Sequence, residues 1–258
     1  HRGVPALDGT HLTPSPDALP IEVELFAAAE PAGEPVRRER MREAEVFWLQ
    51  TPPGLDAKQP WSARLRARLV PPESGAHRFS LTSAGRSRLR IDGRAVLDNW
   101  DERKPGTSFF GLGSADVKAE AVLEAGVAVE IEVDFAQDRP GTPGGLRLGW
   151  LPPEPDDAME RAVAAARSAD AAVVVVGLDP DWETEGRDRD GFHLPKRQDE
   201  LVARVAAANP HTIVVVNAGS PVTLHWAPDA RPLLQAWLGR QEMAGRVADG
   251  LLGDAEPA

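Results

Sequence analysis

Apolar and polar side chains alternate in short runs between residues 21 and 151. Alternation with a period of two is typical of strands that bury one face only. In residues 63–70, ARLRARLV, three arginines share one face while Leu65 and Leu69 lie on the other. About nine such runs and almost no helical pattern predict an antiparallel β-sandwich over residues 21–153.

Turn residues separate these runs, and a segment rich in turn residues precedes the first of them. Asp92-Gly93 stands between two alternating runs and predicts a tight hairpin, because a type I′ turn needs positive φ at both central residues. Residues 1–20 are rich in Pro, Gly and Thr, which predicts a linker or an extended leading segment.

From residue 154 the pattern changes to helices and continuous apolar strands. Residues 156–170 have apolar side chains at helical spacing, with Met159, Val163, Ala164 and Ala166 as the expected inner face. Residues 171–178, 211–221 and 231–239 are predicted strands, and two further helices follow Pro195 and precede Gly253. With a helix also expected between the second and third strands, the order α-β-α-β-α-β-α predicts a parallel sheet covered by helices.

Three strands are few for a parallel sheet, so residues 154–258 predict an incomplete three-layer α/β unit. The whole chain is therefore expected to be multi-domain, with an antiparallel β-sandwich followed by this unit. A start at His1 rather than Met also fits a piece of a longer protein.

Composition excludes several function classes. The net charge of −11 disfavours nucleic acid, which needs a dense cationic face. The absence of cysteine excludes disulfides and thiolate chemistry. The longest apolar run, residues 171–178, is too short to cross a membrane.

Candidate chemistry concentrates in the loop after the first parallel strand, GLDPDWETEGRDRDGF, residues 177–192. Ligands of open parallel sheets bind beyond the carboxyl ends of the strands, where NAGSP and WLGRQE should also emerge. A calcium loop of the EF-hand type is excluded, because its sixth residue counted from Asp179 is Thr184 rather than glycine. Carboxylate acid/base chemistry remains, and so does a plain solvated acidic loop.

The residue types in this loop suit a proton donor. A glutamate beside apolar surface and other carboxylates has a raised pKa, so it holds a proton near neutral pH. Gly186 lets the backbone bend after Glu185, and Trp182 offers a wall that stacks on a sugar or excludes water.

A longer series of segments resembles a known family. ETEGRDR, then LP, NPHTIVVVNAGSPV, LLQAWLGRQE and ADGLLGD together resemble the α/β domain of glycoside hydrolase family 3, the retaining β-glucosidases, over residues 160–254. The resemblance implies that Glu185 is the general acid/base, with Glu183 the alternative if the loop is displaced by two residues. It also implies that Gly186, Asp188 and Arg189 structure the loop. We expect the last two to form an internal ion pair or a plain surface pair.

The first half of the chain has its own likeness. Residues 61–100 resemble the protective-antigen-type β-sandwich, which one group of these enzymes carries as an insertion within the α/β domain. The resemblance implies that loops of this module lean over the pocket entrance. Trp100, Phe109 and Phe110 are the candidate substrate-binding residues there, unless these aromatic side chains pack against a neighbouring domain.

The resemblance also implies what the chain lacks. Family members take their nucleophilic aspartate from an N-terminal (β/α)-barrel, and nothing in this sequence resembles that barrel. The chain is therefore expected to be part of a β-glucosidase, inactive alone, with a β-glucoside as substrate, the barrel as partner, and no cofactor or metal. A non-catalytic carbohydrate-binding module and a β-xylosidase of the same family are the alternatives.

Overall fold

The computed structural model describes residues 4–13, 19–179, 182–183, 188–230, 232–237 and 243–256. The chain divides into two compact units, one ending at Glu154 and the other beginning at Pro155. The described residues form two antiparallel sheets, one small parallel sheet and three α-helices, in agreement with the coarse fold predicted from the sequence.

Two antiparallel sheets make up the first unit. The larger sheet contains β1 (Leu12–Thr13), β2 (Ile21–Phe26), β3 (Arg37–Met41), β5 (Trp61–Leu69), β7 (Arg86–Ile91), β8 (Arg94–Asn99) and β10 (Val129–Gln137). Its order is β3-β2-β5-β10-β7-β8, and β1 pairs with β5. The smaller sheet contains β4 (Glu45–Trp48), β6 (Gly75–Ala84), β9 (Val117–Leu123) and β11 (Gly144–Leu151), in the order β4-β11-β6-β9.

One hydrophobic core takes side chains from both sheets. Leu89 and Val133 of the larger sheet belong to the same buried cluster as Phe79 and Leu148 of the smaller one. In β5, Leu65 is buried while Arg66 is exposed, so the predicted alternation is confirmed. The predicted hairpin is also present, because Asp92 and Gly93 join β7 to β8 with φ values of 48° and 75°.

The sequence pattern missed β1, β3 and β4. Strands β3 and β4 are sheet edges: charged residues such as Arg37 and Arg38 replace the expected alternation in β3, and the four residues of β4 are too few to show it. The leading segment also differs from a plain linker, since Leu7 and Leu12 are buried in the sandwich core. Two isolated leucines among Pro, Gly and Thr carry no strand periodicity, so this docking was not predicted.

A charge network lies on the other face of the larger sheet. Asp134 of β10 is fully buried and accepts hydrogen bonds from Arg64 at 2.7 Å, Arg88 at 2.9 Å and Arg90 at 2.8 Å. Burial alone would raise the pKa of Asp134, but the three guanidinium groups together hold it below its usual value. Arg64, Arg88 and Arg90 are therefore partners of β10 and not a free basic surface.

The second unit contains a three-stranded parallel sheet. Its elements are α1 (Ala158–Ser168), β12 (Ala172–Gly177), α2 (Gln198–Ala208), β13 (Thr212–Asn217), β14 (Leu233–Gln235) and α3 (Met243–Leu252). The strands are parallel in the order β12-β13-β14, as predicted. Val202 and Val205 of α2 pack with Val174 and Val214 in one buried cluster.

Two details of this unit differ from the prediction. No helix lies between β13 and β14 among described residues 218–230, which form turns with Pro221 and Pro228 among them. Helix α1 buries Met159 and Ala166, whereas Ala164 is exposed. Proline lacks a backbone N–H donor, so Pro221 and Pro228 disfavour a continuous helix between β13 and β14.

Large apolar side chains remain exposed in the second unit. Val173 and Val175 of β12 are 51% and 64% exposed, and Trp237 is 64% exposed. Helix α3 buries none of its residues. Across the described parts of the chain, no helix has the length and apolar character that crossing a membrane requires.

Candidate active site

The candidate acidic loop leaves the parallel sheet from a tightly held strand end. The Gln198 side chain accepts a hydrogen bond from the Gly177 N–H at 2.7 Å and donates one to the Gly177 carbonyl at 3.0 Å. A Cβ atom at Gly177 would lie 1.9 Å from the Asn217 carbonyl oxygen, so only glycine fits. The backbone at the start of the loop is therefore held by Gln198 on one side and packed closely against Asn217 on the other.

Glu183 joins this loop to the loop that follows β13. Its carboxylate accepts a hydrogen bond from the Gly219 N–H at 3.1 Å, within the NAGSP segment. The Trp182 and Glu183 N–H groups both donate to the Asp179 carbonyl at 2.9 Å, which forms a tight turn. The first two strand-end loops thus lie side by side, as expected for parallel strands.

The surroundings of Glu183 favour its ionised form. Burial acts to raise the pKa of this carboxyl, but the Ser220 hydroxyl, the Gly219 and Ser220 N–H groups and the positive charge of Arg189 lower it below its usual value. A glutamate with a lowered pKa holds no proton near neutral pH. Glu183 is therefore placed as a fixed anion that binds two loops together.

Arg189 has a different partner from the one predicted. It donates a hydrogen bond to the Pro221 carbonyl at 2.5 Å, and its guanidinium lies 5.7 Å from the centre of the Phe192 ring. Asp188 is exposed, and no ion pair joins Asp188 to Arg189 within described residues 188–230; a role of the two side chains in structuring the loop stays a prediction. The nearby carbonyl and the anion at Glu183 take the place of the adjacent carboxylate.

Glu185 and Gly186 lie outside the described residues, so the roles predicted for them stay predictions. Trp182 is described and is partly buried against the core cluster of the second unit. This packing fixes one part of the indole, and the remainder stays accessible beside Glu183.

The predicted aromatic pair lies in residues 104–115 of the first unit, which we call the aromatic loop. Phe109 and Phe110 have φ values of 50° and 57°, a region that costs a non-glycine residue about 1–2 kcal/mol. Phe109 stacks on Phe47 with ring centres 5.5 Å apart, whereas Phe110 is 91% exposed. The loop therefore holds one phenylalanine inward and presents the other to solvent in a strained backbone.

A buried polar network fixes the aromatic loop to the sandwich. The Asn99 side chain donates to the Ser114 hydroxyl at 2.8 Å and to the Ser83 hydroxyl at 3.1 Å. The Ser83 hydroxyl lies 2.8 Å from that of Ser87, and the Ser114 N–H donates to the Ser83 carbonyl at 2.9 Å. Because these groups are buried and hydrogen-bonded, they hold the loop in one position.

Trp100 does not share the exposure of Phe110. Its side chain is only 7% exposed, and the Arg88 guanidinium covers the ring at 4.4 Å. Little of the indole is left for a sugar, so within this unit Trp100 packs against its neighbours, and its contact with substrate stays a prediction. The hairpin position that suggested the contact also places Trp100 beside the charge network of β7.

The sequence interpretation did not assign roles to Gly219 and Ser220. Their segment, NAGSP, was expected at the same sheet edge, which was the only available signal. The backbone N–H groups that bind Glu183 are chemically the same in any sequence, so residue type could not identify them.

Comparisons with known proteins show the family of this chain. The profile of the glycosyl hydrolase family 3 C-terminal domain matches residues 39–258. A probable β-glucosidase J of Aspergillus fumigatus is 41% identical over 236 residues, which are 87% of this chain and 27% of that protein. A β-glucosidase of Rhizobium radiobacter is 35% identical over 92% of this chain and 30% of its own length.

A solved structure gives the same result. The β-glucosidase of Kluyveromyces marxianus in complex with glucose aligns with 99% of this chain at a TM-score of 0.81 and 28% identity. The alignment covers 32% of that enzyme. The chain thus spans about a third or less of the length of these relatives.

Proposed function

Because the chain belongs to glycosyl hydrolase family 3 by its C-terminal domain, we propose that it is part of a retaining β-glucosidase. In this proposal Glu185 is the general acid/base, and the nucleophilic aspartate comes from a (β/α)-barrel domain outside the chain. The substrate is a terminal β-D-glucoside. The observation that carries the proposal is the alignment of nearly the whole chain with a glucose-bound β-glucosidase.

The environment of Glu183 supports Glu185 as the proton donor. A general acid must be protonated when the glycosidic bond breaks, which requires a pKa near the working pH. The pKa of Glu183 is lowered, and its carboxylate is bound to Gly219. Glu183 therefore acts as a positioning residue that holds the loop, while Glu185, two residues later, reaches the substrate.

Double displacement needs two carboxyl groups about 5–5.5 Å apart. Glu185 first protonates the glycosidic oxygen while the aspartate from the barrel attacks the anomeric carbon and forms a glycosyl-enzyme. Glu185, now a carboxylate, then takes a proton from the water that hydrolyses this ester. A chain without the aspartate does not turn over.

Exposed apolar surface in the second unit supports a larger protein. Val173 and Val175 leave one face of β12 uncovered, and α3 has no buried residue. Monomeric proteins rarely leave such faces bare, so further domains are the natural partners. We place the domain limits at residues 21–153 and 154–258, after a leading segment of residues 1–20.

The sandwich is proposed to be a protective-antigen-type module that contacts the sugar or its aglycone. The exposed ring of Phe110 supports this role, because an aromatic face outside any core is suited to stack on a pyranose. Phe109 anchors the loop by stacking on Phe47. Trp182 is the candidate stacking residue of the acidic loop. Strained backbone at Phe109 and Phe110 is the kind of feature that concentrates at ligand-binding sites.

The relatives' names favour a glucoside over the alternatives. The relatives from Aspergillus fumigatus and Rhizobium radiobacter are called β-glucosidases, which makes a β-xylosidase or a non-catalytic carbohydrate-binding module the weaker interpretation.

The direct test is Glu185→Gln in the longer protein that contains this chain. Loss of the proton donor should lower kcat by about 10²–10⁴-fold on a substrate with a poor leaving group. On an activated aryl glucoside the loss should be smaller, because departure of that group needs no proton. The matched control, Glu183→Gln, should lower activity by a similar factor on both substrates. Full activity of Glu185→Gln on the poor substrate would overturn the assignment.

A further inference from the structure

Three metal-ligating side chains come together outside the candidate active site. The ligand atoms of His193, Asp199 and His225 all lie within 4.8 Å of one another. We call this group the histidine cluster. His193 follows the acidic loop, Asp199 lies in the first turn of α2, and His225 lies in the turns after β13.

The fold holds these three segments in place independently of the cluster. The Thr223 N–H donates to the Phe192 carbonyl at 2.7 Å, which ties the segments of His225 and His193 together. Trp226 is only 3% exposed, and its indole N–H donates to the Asp199 carboxylate at 2.7 Å. A buried core residue adjacent to His225 thus orients the carboxylate of Asp199.

The donor set indicates the kind of ion. Two imidazole nitrogens and one carboxylate oxygen are ligands that zinc accepts, whereas calcium and magnesium prefer oxygen ligands throughout. Around tetrahedral zinc, with bonds of about 2.0–2.2 Å, neighbouring ligand atoms lie roughly 3.4 Å apart. The spacing of up to 4.8 Å is wider than this, so binding requires the exposed side chains of His193 and His225 to rotate toward Asp199.

We propose that the histidine cluster binds one divalent transition ion of the zinc type, with water at the fourth position. The indole N–H of Trp226 on Asp199 supplies the outer hydrogen bond that metal-binding carboxylates usually have. The ion links the segment that follows the acidic loop to the start of α2 and to the turns after β13. Its effect is to restrain the chain on the carboxyl side of the acidic loop.

Zinc binding to the metal-free protein tests the proposal, measured by competition with a chromophoric chelator. The protein should bind one more zinc ion per chain than either His193→Ala or His225→Ala. His211→Ala is the matched control, since His211 is exposed in the same unit but lies outside the cluster. Cobalt in place of zinc should give the visible absorption of a tetrahedral nitrogen and oxygen site, and both cluster variants should lose it.

A second readout does not depend on stoichiometry. Zinc should slow amide hydrogen exchange in residues 188–197 and 221–230, and this protection should be absent from His193→Ala and His225→Ala. Equal zinc binding by the parent protein and the two variants would overturn the proposal. So would an equal loss of the ion from the His211→Ala control.

Discussion

The two units of the chain differ in what their sheets do with charged and apolar side chains. In the sandwich, charges of the larger sheet pair within the unit, down to the fully buried Asp134. In the α/β unit, Val173 and Val175 are exposed on a strand, and α3 buries nothing. The first unit thus buries its charge network within itself, although Phe110 and Val122 stay exposed on its surface, whereas the second leaves two valines of its sheet uncovered. The candidate catalytic loop lies in this second unit, and a partner carboxylate from another domain remains part of the proposal.

The largest expected effect concerns the buried charge network of the sandwich. Asp134→Ala leaves Arg64, Arg88 and Arg90 without their shared carboxylate, which should lower the free energy of unfolding by about 3–5 kcal/mol. Urea denaturation followed by tryptophan fluorescence measures this loss. The control is Asp116→Ala, which removes a more exposed pair with Lys118 and should cost at most about 1 kcal/mol. Equal effects of the two substitutions would contradict the role of the network.

Substitutions on the exposed face of β12 test whether another domain covers the α/β unit. The double change Val173→Thr, Val175→Thr should leave the stability of this chain within about 0.5 kcal/mol, because both side chains are exposed. In the longer protein it should cost roughly 1–3 kcal/mol, since a hydroxyl would be buried without a partner. Thermal unfolding of both forms gives the comparison. The control is Val122→Thr, at an exposed valine of the sandwich, which should leave stability unchanged in both forms. If the double change is also neutral in the longer protein, nothing covers β12.

A smaller effect is expected from the aromatic loop. Phe110→Ala should raise KM for an aryl glucoside several-fold in the longer protein, because a stacking surface is lost while the reacting groups stay in place. Stability should not change, since the ring is 91% exposed. Leu49→Ala, at an exposed leucine of the same unit, serves as the control. An unchanged KM would remove Phe110 from the sugar-binding surface.

The smallest effect concerns pH and Glu183. Its folded pKa is lowered, so its contribution to stability is complete above the unfolded value of about 4.3 and is lost as pH falls through the folded value. Between pH 6 and pH 3, Glu183→Gln should therefore lose less stability than the parent. Denaturant midpoints measured at several pH values test this sign. A steeper loss in the variant would show that the carboxylate does not stabilise the loop.

How far the sequence predicts this molecule depends on whether a feature is local. Strand β5 and the Asp92-Gly93 turn follow from neighbouring residues, because alternation and turn chemistry act over a few positions. Edge strand β3 was missed, since it carries charges where a buried strand carries apolar residues, and β4 was missed because its four residues do not alternate. The pairing of Arg64 with Asp134 depends on which strands become neighbours, and no local pattern contains that information.

The same distinction applies to the candidate site. Strand order and the carboxyl ends of the parallel strands placed the acidic loop correctly beside NAGSP. The choice between Glu183 and Glu185 rests on family resemblance and stays a prediction, while the hydrogen bond from Gly219 shows what the Glu183 carboxylate contacts. The burial of Trp100 and the carbonyl partner of Arg189 depend on tertiary packing, so residue type alone could not predict them.

The most direct test of the functional account is chemical rescue by azide in the longer protein. With an activated aryl glucoside, Glu185→Ala should accumulate the glycosyl-enzyme, because no base activates water. Azide should then restore turnover and yield β-glucosyl azide, since this nucleophile needs no deprotonation. Glu183→Ala, a variant with a displaced loop, should show no such rescue. Rescue of Glu183→Ala but not of Glu185→Ala would contradict the account and assign the proton transfer to Glu183.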